Sequence, residues 1–170
     1  VDADRQSFEA YARERGATLA RHAYLLTGDH HLAEDLVQQT LLRVAGRWRR
    51  IVADGDPDPY VRRVLYHQHI SWWRRRTRRV AEAPLAGADR PVADPADDLA
   101  VTLAVRAALA RLAPRQRAAL VLRYFGDLSE AQVAETLGCR VGTVKSQLRD
   151  GLARLRVLAP ELAELLEVRS

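Results

Sequence analysis

Leu128-Ser-Glu-Ala-Gln-Val-Ala-Glu-Thr-Leu-Gly-Cys-Arg-Val-Gly-Thr-Val-Lys-Ser-Gln-Leu148 decides the fold of this chain. It reads as two helices joined by a tight turn. Ser129 caps the first helix, and Gln132, three residues on, completes a capping box. Val133, Ala134 and Leu137 share one helical face, and small Ala134 allows close helix approach. Gly138 ends that helix where a left-handed backbone is needed. Val141, Val144 and Leu148 line the inner face of the second helix, leaving Thr143, Lys145, Ser146, Gln147 and Arg149 outside. Cap, small residue, turn glycine and outward polar set agree on a helix-turn-helix. In such a unit the second helix enters a DNA major groove, where polar and basic side chains reach base edges and phosphates.

The rest of the chain is read from this unit outward. Its 170 residues are 48 % apolar, enough for one or two small globular modules. The formal net charge of +5 is unevenly placed. Residues 1–79 carry 15 arginines against ten acids, and residues 98–158 carry ten basic residues against five acids. Between them, residues 80–97 carry one arginine against four acids, and the tail 159–170 is also acidic. Two basic blocks around an acidic strip indicate two nucleic-acid-facing modules and a linker. Cys139 is the single cysteine, which excludes an internal disulfide and a cysteine-rich zinc site. It falls in the turn of the helix-turn-helix as a small apolar plug. No apolar run approaches membrane-spanning length and no secretory signal is visible, so the expectation is a cytoplasmic protein with no membrane insertion. The chain opens on Val1 and contains no Met, which suggests a trimmed N-terminus.

Hydrophobic spacing predicts an all-α chain. A first helix spans about 7–26, with Phe8, Tyr11, Ala12, Leu19, Ala23 and Leu26 buried. Thr27-Gly-Asp29 stops it and caps a second helix over about 31–48. Val52-Ala-Asp-Gly-Asp-Pro-Asp58 is a turn, after which Asp58 caps a third helix running through Tyr60 to about Arg79. Proline, alanine and aspartate mark 80–97 as a flexible linker. A helix over about 98–112 then buries Leu99, Leu103, Ala107 and Leu109. Pro114 opens the next helix, which ends near Gly126. The second helix of the helix-turn-helix continues to about Leu158, and 161–168 forms a short terminal helix.

The third helix interleaves aromatic rings with arginines: Tyr60, Arg62, Arg63, Tyr66, His67, Trp72, Trp73, Arg74, Arg75 and Arg76. Stacking platforms beside guanidinium groups suit single-stranded DNA, each stacked base contributing about 1–3 kcal/mol. Taken alone, the pattern fits equally well a pair of core tryptophans with a solvated basic end. The helix-turn-helix tips the balance toward DNA. On the second helix, Asp35, Gln38, Gln39, Leu42 and Arg43 recur every three or four residues and form one exposed face suited to a protein partner. His31 and Asp35, one turn apart, are too few for a metal centre, so no metal and no cofactor is expected.

At this level the chain resembles the bacterial RNA polymerase sigma factors of the extracytoplasmic-function (ECF) group within the sigma-70 family, in particular sigma-E-like members. Ala33-Glu-Asp-Leu-Val-Gln38 is similar to the polymerase-binding part of region 2. The 60–79 helix, with Ser71-Trp-Trp-Arg-Arg-Arg76, resembles the reader of the −10 element. Leu112-Ala-Pro-Arg-Gln-Arg117 and Gly142-Thr-Val-Lys-Ser146 resemble the start and the −35 recognition helix of region 4. The likeness covers about 7–158 and implies region 2 over 1–79, a linker over 80–97, region 4 over 98–158 and a tail over 159–170. It implies docking on the clamp helices of the largest polymerase subunit through Asp35, Gln38, Gln39, Leu42 and Arg43. It implies −10 binding by Tyr60, Arg62, Arg63, Tyr66, His67 and Arg74–Arg76, with the 49–58 loop capturing a flipped base. Arg140, Thr143, Lys145, Ser146, Gln147 and Arg149 would then meet the −35 groove, and region 4 would dock on the polymerase flap. The partners implied are core RNA polymerase, promoter DNA and, as a regulator, an anti-sigma factor. The chain departs from the family pattern at His67, where Asn is usual, at Arg140, where a capping Ser is frequent, and at Asp150, where a basic residue is common. The short stretch after 158 is expected to hold no large ligand-sensing extension.

Two other classes compete with this reading. A stand-alone regulator binding duplex DNA as a dimer would share the helix-turn-helix but need neither the polar second helix nor the aromatic–arginine helix. A nuclease would need converging carboxylates or a metal cluster at a basic surface, and the sequence offers none.

Overall fold

The computed structural model describes residues 2–82 and 99–168, and all the regular structure among them is helical. Among the described residues no helix is long and apolar enough to cross a membrane. The expected linker over 80–97 lies almost wholly outside the described residues.

α1 (Asp2–Thr27), α2 (His30–Ala45), α3 (Trp48–Ala53) and α4 (Asp58–Glu82) form the first helical group. Asp29 caps α2 as expected, accepting from the Leu32 N–H at 2.9 Å. The single helix expected over 31–48 is in fact two. α2 stops at Ala45, the chain turns at Gly46 and Arg47, and α3 begins at Trp48. The break turns the Trp48 ring into the core, 5 % exposed, against Phe8 and Tyr11, with its indole N–H on Ser7 Oγ. α3 also takes the first two residues of the expected 52–58 turn. Asp58 does not cap α4. Its carboxylate accepts from the Tyr11 hydroxyl at 2.8 Å and pairs with Arg15 at 2.9 Å, fastening the start of α4 to α1. Burial and this bond push the Tyr11 phenol pKa far up. α4 runs three residues past Arg79, into the expected linker.

α5 (Leu99–Ala110), α6 (Pro114–Leu120), α7 (Glu130–Leu137), α8 (Val141–Leu158) and α9 (Pro160–Val168) form the second group. Leu109 is buried as expected, but Ala107 is exposed and Ala108 takes the inward position. The helix begun by Pro114 widens into a π-helical turn over Val121–Phe125, closed by the Gly126 N–H on the Val121 carbonyl at 2.9 Å. The helix-turn-helix is α7 and α8. Ser129 Oγ accepts from the Gln132 N–H and Gln132 Oε1 accepts from the Ser129 N–H, and Gly138 closes α7 at φ +67°. Val144 and Leu148 are buried, whereas Val141, expected inside, is 39 % exposed because it lies in the first turn of α8, at the rim of the core.

The two groups share one continuous core that includes Leu26, Leu65, Leu109, Leu120 and Val144. α8 crosses α6 at Gly151, where an added Cβ would stand 2.9 Å from Leu120 Cδ1. Leu120 is itself fully buried and has nowhere to retreat. Gly151→Val should therefore destabilise the chain by about 1–3 kcal/mol through overpacking. Urea denaturation checks this; a midpoint equal to wild type would show that α6 and α8 are not so close.

Candidate nucleic-acid interface

Three surfaces carry the residues singled out by sequence. On α2, Asp35, Gln38, Gln39, Leu42 and Arg43 are all exposed, Leu42 at 75 %, while Ala33, Leu36, Thr40 and Val44 fill the opposite face. The 3.6-residue period separates the two sets cleanly.

α4 does not offer a single DNA-facing strip. Twenty-five residues span about 37 Å, and its side chains divide between two hollows. Tyr60, Arg62 and Arg63 join Arg47 and Arg50 in a groove of about 1390 Å³ between α4, α3 and the start of α1. His67, Arg74 and Arg75 open instead into a second cleft of about 700 Å³. Tyr66 belongs to neither. It is 0 % exposed, packed edge-on against His22, and its hydroxyl has no hydrogen-bond partner among the described residues. Its expected role as a DNA contact is overturned, because its α4 position faces the core with Leu65. Arg76 lies 5.2 Å from the Trp72 ring centroid, so this arginine and this ring form one cation–π unit.

On α8, Arg140, Lys145 and Arg149 are exposed and Thr143, Ser146 and Gln147 half-buried. Lys145 sits 3.8 Å from Glu130, Arg149 pairs with Asp150 at 3.0 Å, and Ser146 donates to the Thr143 carbonyl. Arg140 occupies the N-cap of α8 in extended conformation with no side-chain cap.

Sequence reasoning missed the contacts that join these surfaces. Gln68, expected only to face inward, accepts from the Thr40 hydroxyl at 3.1 Å and donates to the Gln39 carbonyl at 3.4 Å, linking α2 to α4 next to His67. Arg106 donates to the Gly28 carbonyl at 3.0 Å, and Arg117 donates to the Leu26 carbonyl and, at 2.9 Å, to the Ala110 carbonyl. Arg117 is 2 % exposed and lies 5.8 Å from the Trp73 ring centroid; burial lowers its pKa to about 10. The backbone of Thr136 favours the protonated form of His67 and that of Phe125 the protonated form of His22, each against the larger effect of burial. Long polar side chains in a sequence give no sign of which distant carbonyl they will meet.

The comparisons with known proteins agree with this geometry. Residues 12–79 match the family model "Sigma-70 region 2", and residues 102–155 match "Sigma-70, region 4". The chain is 39 % identical over 150 residues to RNA polymerase sigma-E factor of Streptomyces coelicolor, covering 88 % of this chain and 84 % of that one. It is 34 % identical over 156 residues to ECF RNA polymerase sigma factor SigL of Mycobacterium tuberculosis, covering 88 % and 86 %. In fold it is similar to the sigma factor RpoE of Bartonella quintana, solved in complex with the anti-sigma factor NepR. That match has a TM-score of 0.72 and 26 % identity, and covers 92 % of this chain and 98 % of the other. The chain belongs to the sigma-70 family of RNA polymerase sigma factors, in the extracytoplasmic-function group. It acts in transcription initiation, binding core RNA polymerase and promoter DNA, and the reading as a stand-alone dimeric regulator is not favoured.

Burial lowers the His22 and His69 pKa values to about 4, with Arg21 and Arg62 opposing protonation of His22 and Arg117 opposing that of His69. The unfolded chain binds these protons near pH 6.5 and the folded chain only near 4, so both contributions are complete above pH 6.5 and shrink as pH falls toward 4. The unfolding free energy read from urea titrations should therefore drop between pH 7 and pH 5, by up to about 1.4 kcal/mol per histidine per pH unit. His69→Leu should flatten that slope; an unchanged slope would place the titration elsewhere.

Proposed function

We propose that residues 1–79 act as region 2 and 98–158 as region 4, joined by a linker over 80–97 and followed by a tail over 159–170. The matches of two region models, in the order of the two basic blocks, carry this reading. Asp35, Gln38, Gln39, Leu42 and Arg43 dock on the clamp helices of the largest polymerase subunit. The exposure of all five on one side of α2 supports this.

Tyr60, Arg62 and Arg63 hold −10 DNA in the groove beside α3, where stacking and phosphate neutralisation act together. His67 and Arg74–Arg76 hold the non-template strand further along α4. Thr143, Lys145, Ser146, Gln147 and Arg149 meet the −35 major groove, and region 4 docks on the polymerase flap. The Lys145 and Arg149 ion pairs are exposed and weak, so phosphates displace them at small cost. The chain performs no bond chemistry of its own and works in the cytoplasm. Since RpoE of Bartonella quintana is bound by an anti-sigma factor, such a protein is a partner here too.

Charge reversal at Asp35 combined with Gln38→Ala should abolish binding to core polymerase while the circular dichroism spectrum stays native. Core affinity equal to wild type would remove α2 from the docking surface. In the holoenzyme, Arg74, Arg75 and Arg76 changed together to Ala should suppress promoter opening, read from a fluorescent base in the −10 element. Undiminished opening would show that this end of α4 does not hold DNA.

Arg140 separates stability from recognition. An oxygen at an N-cap accepts a backbone N–H and stabilises the helix by about 1 kcal/mol, which arginine does not offer. Arg140→Ser should raise thermal stability yet weaken binding equally to all −35 sequences, with the loss shrinking at high salt because it removes a phosphate contact. Salt titrations on several −35 sequences decide; a sequence-selective loss would rule out the phosphate role.

A further inference from the structure

We infer that Gln68 is a positioning residue for promoter opening: its amide holds α4 in register on α2, so that a chain docked through α2 presents His67 and Arg74–Arg76 to the melted strand. The inference rests on the docking role of α2 and the strand-holding role of α4 proposed above. In that reading Gln68 touches neither polymerase nor DNA. It acts through the two helices that it joins.

α2 buries Ala33, Leu36, Thr40 and Val44. Thr40, 0 % exposed, is the one polar side chain among them. Apolar burial is non-directional, so an aliphatic seam by itself lets one helix slide or roll on the other. A hydrogen-bonded amide does not. Gln68 Nε2 donates to the Gln39 carbonyl at 3.4 Å. Gln68 Oε1 accepts at 3.1 Å from the Thr40 hydroxyl, whose single proton is shared with the Leu36 carbonyl at 2.7 Å. The amide therefore grips two successive residues of α2, one from its exposed face and one from its buried face. A slip of one helical turn, about 5.4 Å, would set Leu36 or Val44 where Thr40 stands and leave the half-buried amide without these partners.

The placement of this bridge gives it its role. Gln39 belongs to the docking face, its side chain exposed while its carbonyl is held by Gln68. His67 is the adjacent residue of α4, and Arg74 is six residues on, about 9 Å along the axis. The Asp58 contacts with Tyr11 and Arg15 fix only the start of α4. Beyond Gln68, Thr77 hydrogen-bonds within α4 itself, to the Trp73 carbonyl. The arginine-bearing half of the helix thus follows directly on the bridge to α2, and a rigid helix carries any error made there forward to Arg74–Arg76.

Gln68→Met keeps the length of the side chain and removes both bonds. In holoenzyme its affinity for core polymerase should stay within about twofold of wild type, while promoter opening, read from a fluorescent −10 base, should fall about fivefold, the effect of a neutral hydrogen bond. Thr40→Val should lower opening in the same way, and Thr40→Ser, which keeps the hydroxyl, should open as wild type does. Gln68→Met combined with Thr40→Val should lose no more than Gln68→Met alone, because both cut one bridge. Wild-type opening by Gln68→Met, losses that multiply in the double variant, or core affinity falling in step with opening, as a merely structural role would give, overturns the positioning role. If circular dichroism shows Gln68→Met unfolded, Thr40→Val against Thr40→Ser decides, and equal opening by these two overturns it. The chain with Arg74, Arg75 and Arg76 changed to Ala separates this inference from the reading beneath it. Normal opening by that chain removes α4 from strand holding, and the inference with it; lost opening there beside wild-type opening by Gln68→Met removes the positioning role alone.

Discussion

The buried guanidinium of Arg117 is the constraint on which the arrangement of this protein depends. It takes the Leu26 carbonyl at the end of α1, the Ala110 carbonyl at the end of α5, and a place beside the Trp73 ring of α4. A charge at 2 % exposure is tolerated because helix-end carbonyls offer partial negative charge and unsatisfied acceptors. One side chain thereby orients three helices drawn from both halves of the molecule. Burial, and after it this charge, lower the pKa of the neighbouring His69.

A second link ties α2 to α4. The amide of Gln68 joins the Gln39 carbonyl and the Thr40 hydroxyl, whose single proton is shared with the Leu36 carbonyl inside α2. A shift of α2 is therefore felt one residue from His67. Aliphatic packing between the same helices would allow sliding; a directional amide bridge fixes register. The Asp58 contact with Tyr11 and Arg15 does the same for the start of α4, next to the arginine-lined groove. The start of the long helix and a point near its middle are thus indexed to other helices by polar contacts, and the turns between them by the core residues Val61, Leu65 and Tyr66.

What the sequence determined by itself was local. The Ser129–Gln132 capping box, the left-handed Gly138 and the buried Val144 and Leu148 follow from short-range rules, and all are present. So are the all-helical class, the two groups of helices and the polar face of α2, because helical period and capping act within a few residues. The errors fell where a distant neighbour outweighs local preference. Trp48 began a new helix instead of ending one because its ring is held by Phe8 and Tyr11. Asp58 gave up a capping role for Tyr11 and Arg15, and Tyr66 turned into the core where a DNA contact was expected. Only the tertiary structure decided that His67 of α4 and Thr143 of α8 line one cleft and that Arg106 and Arg117 reach carbonyls at the end of α1. A long flexible cation can reach many carbonyls, and which one it meets depends on packing from residues far away in the chain.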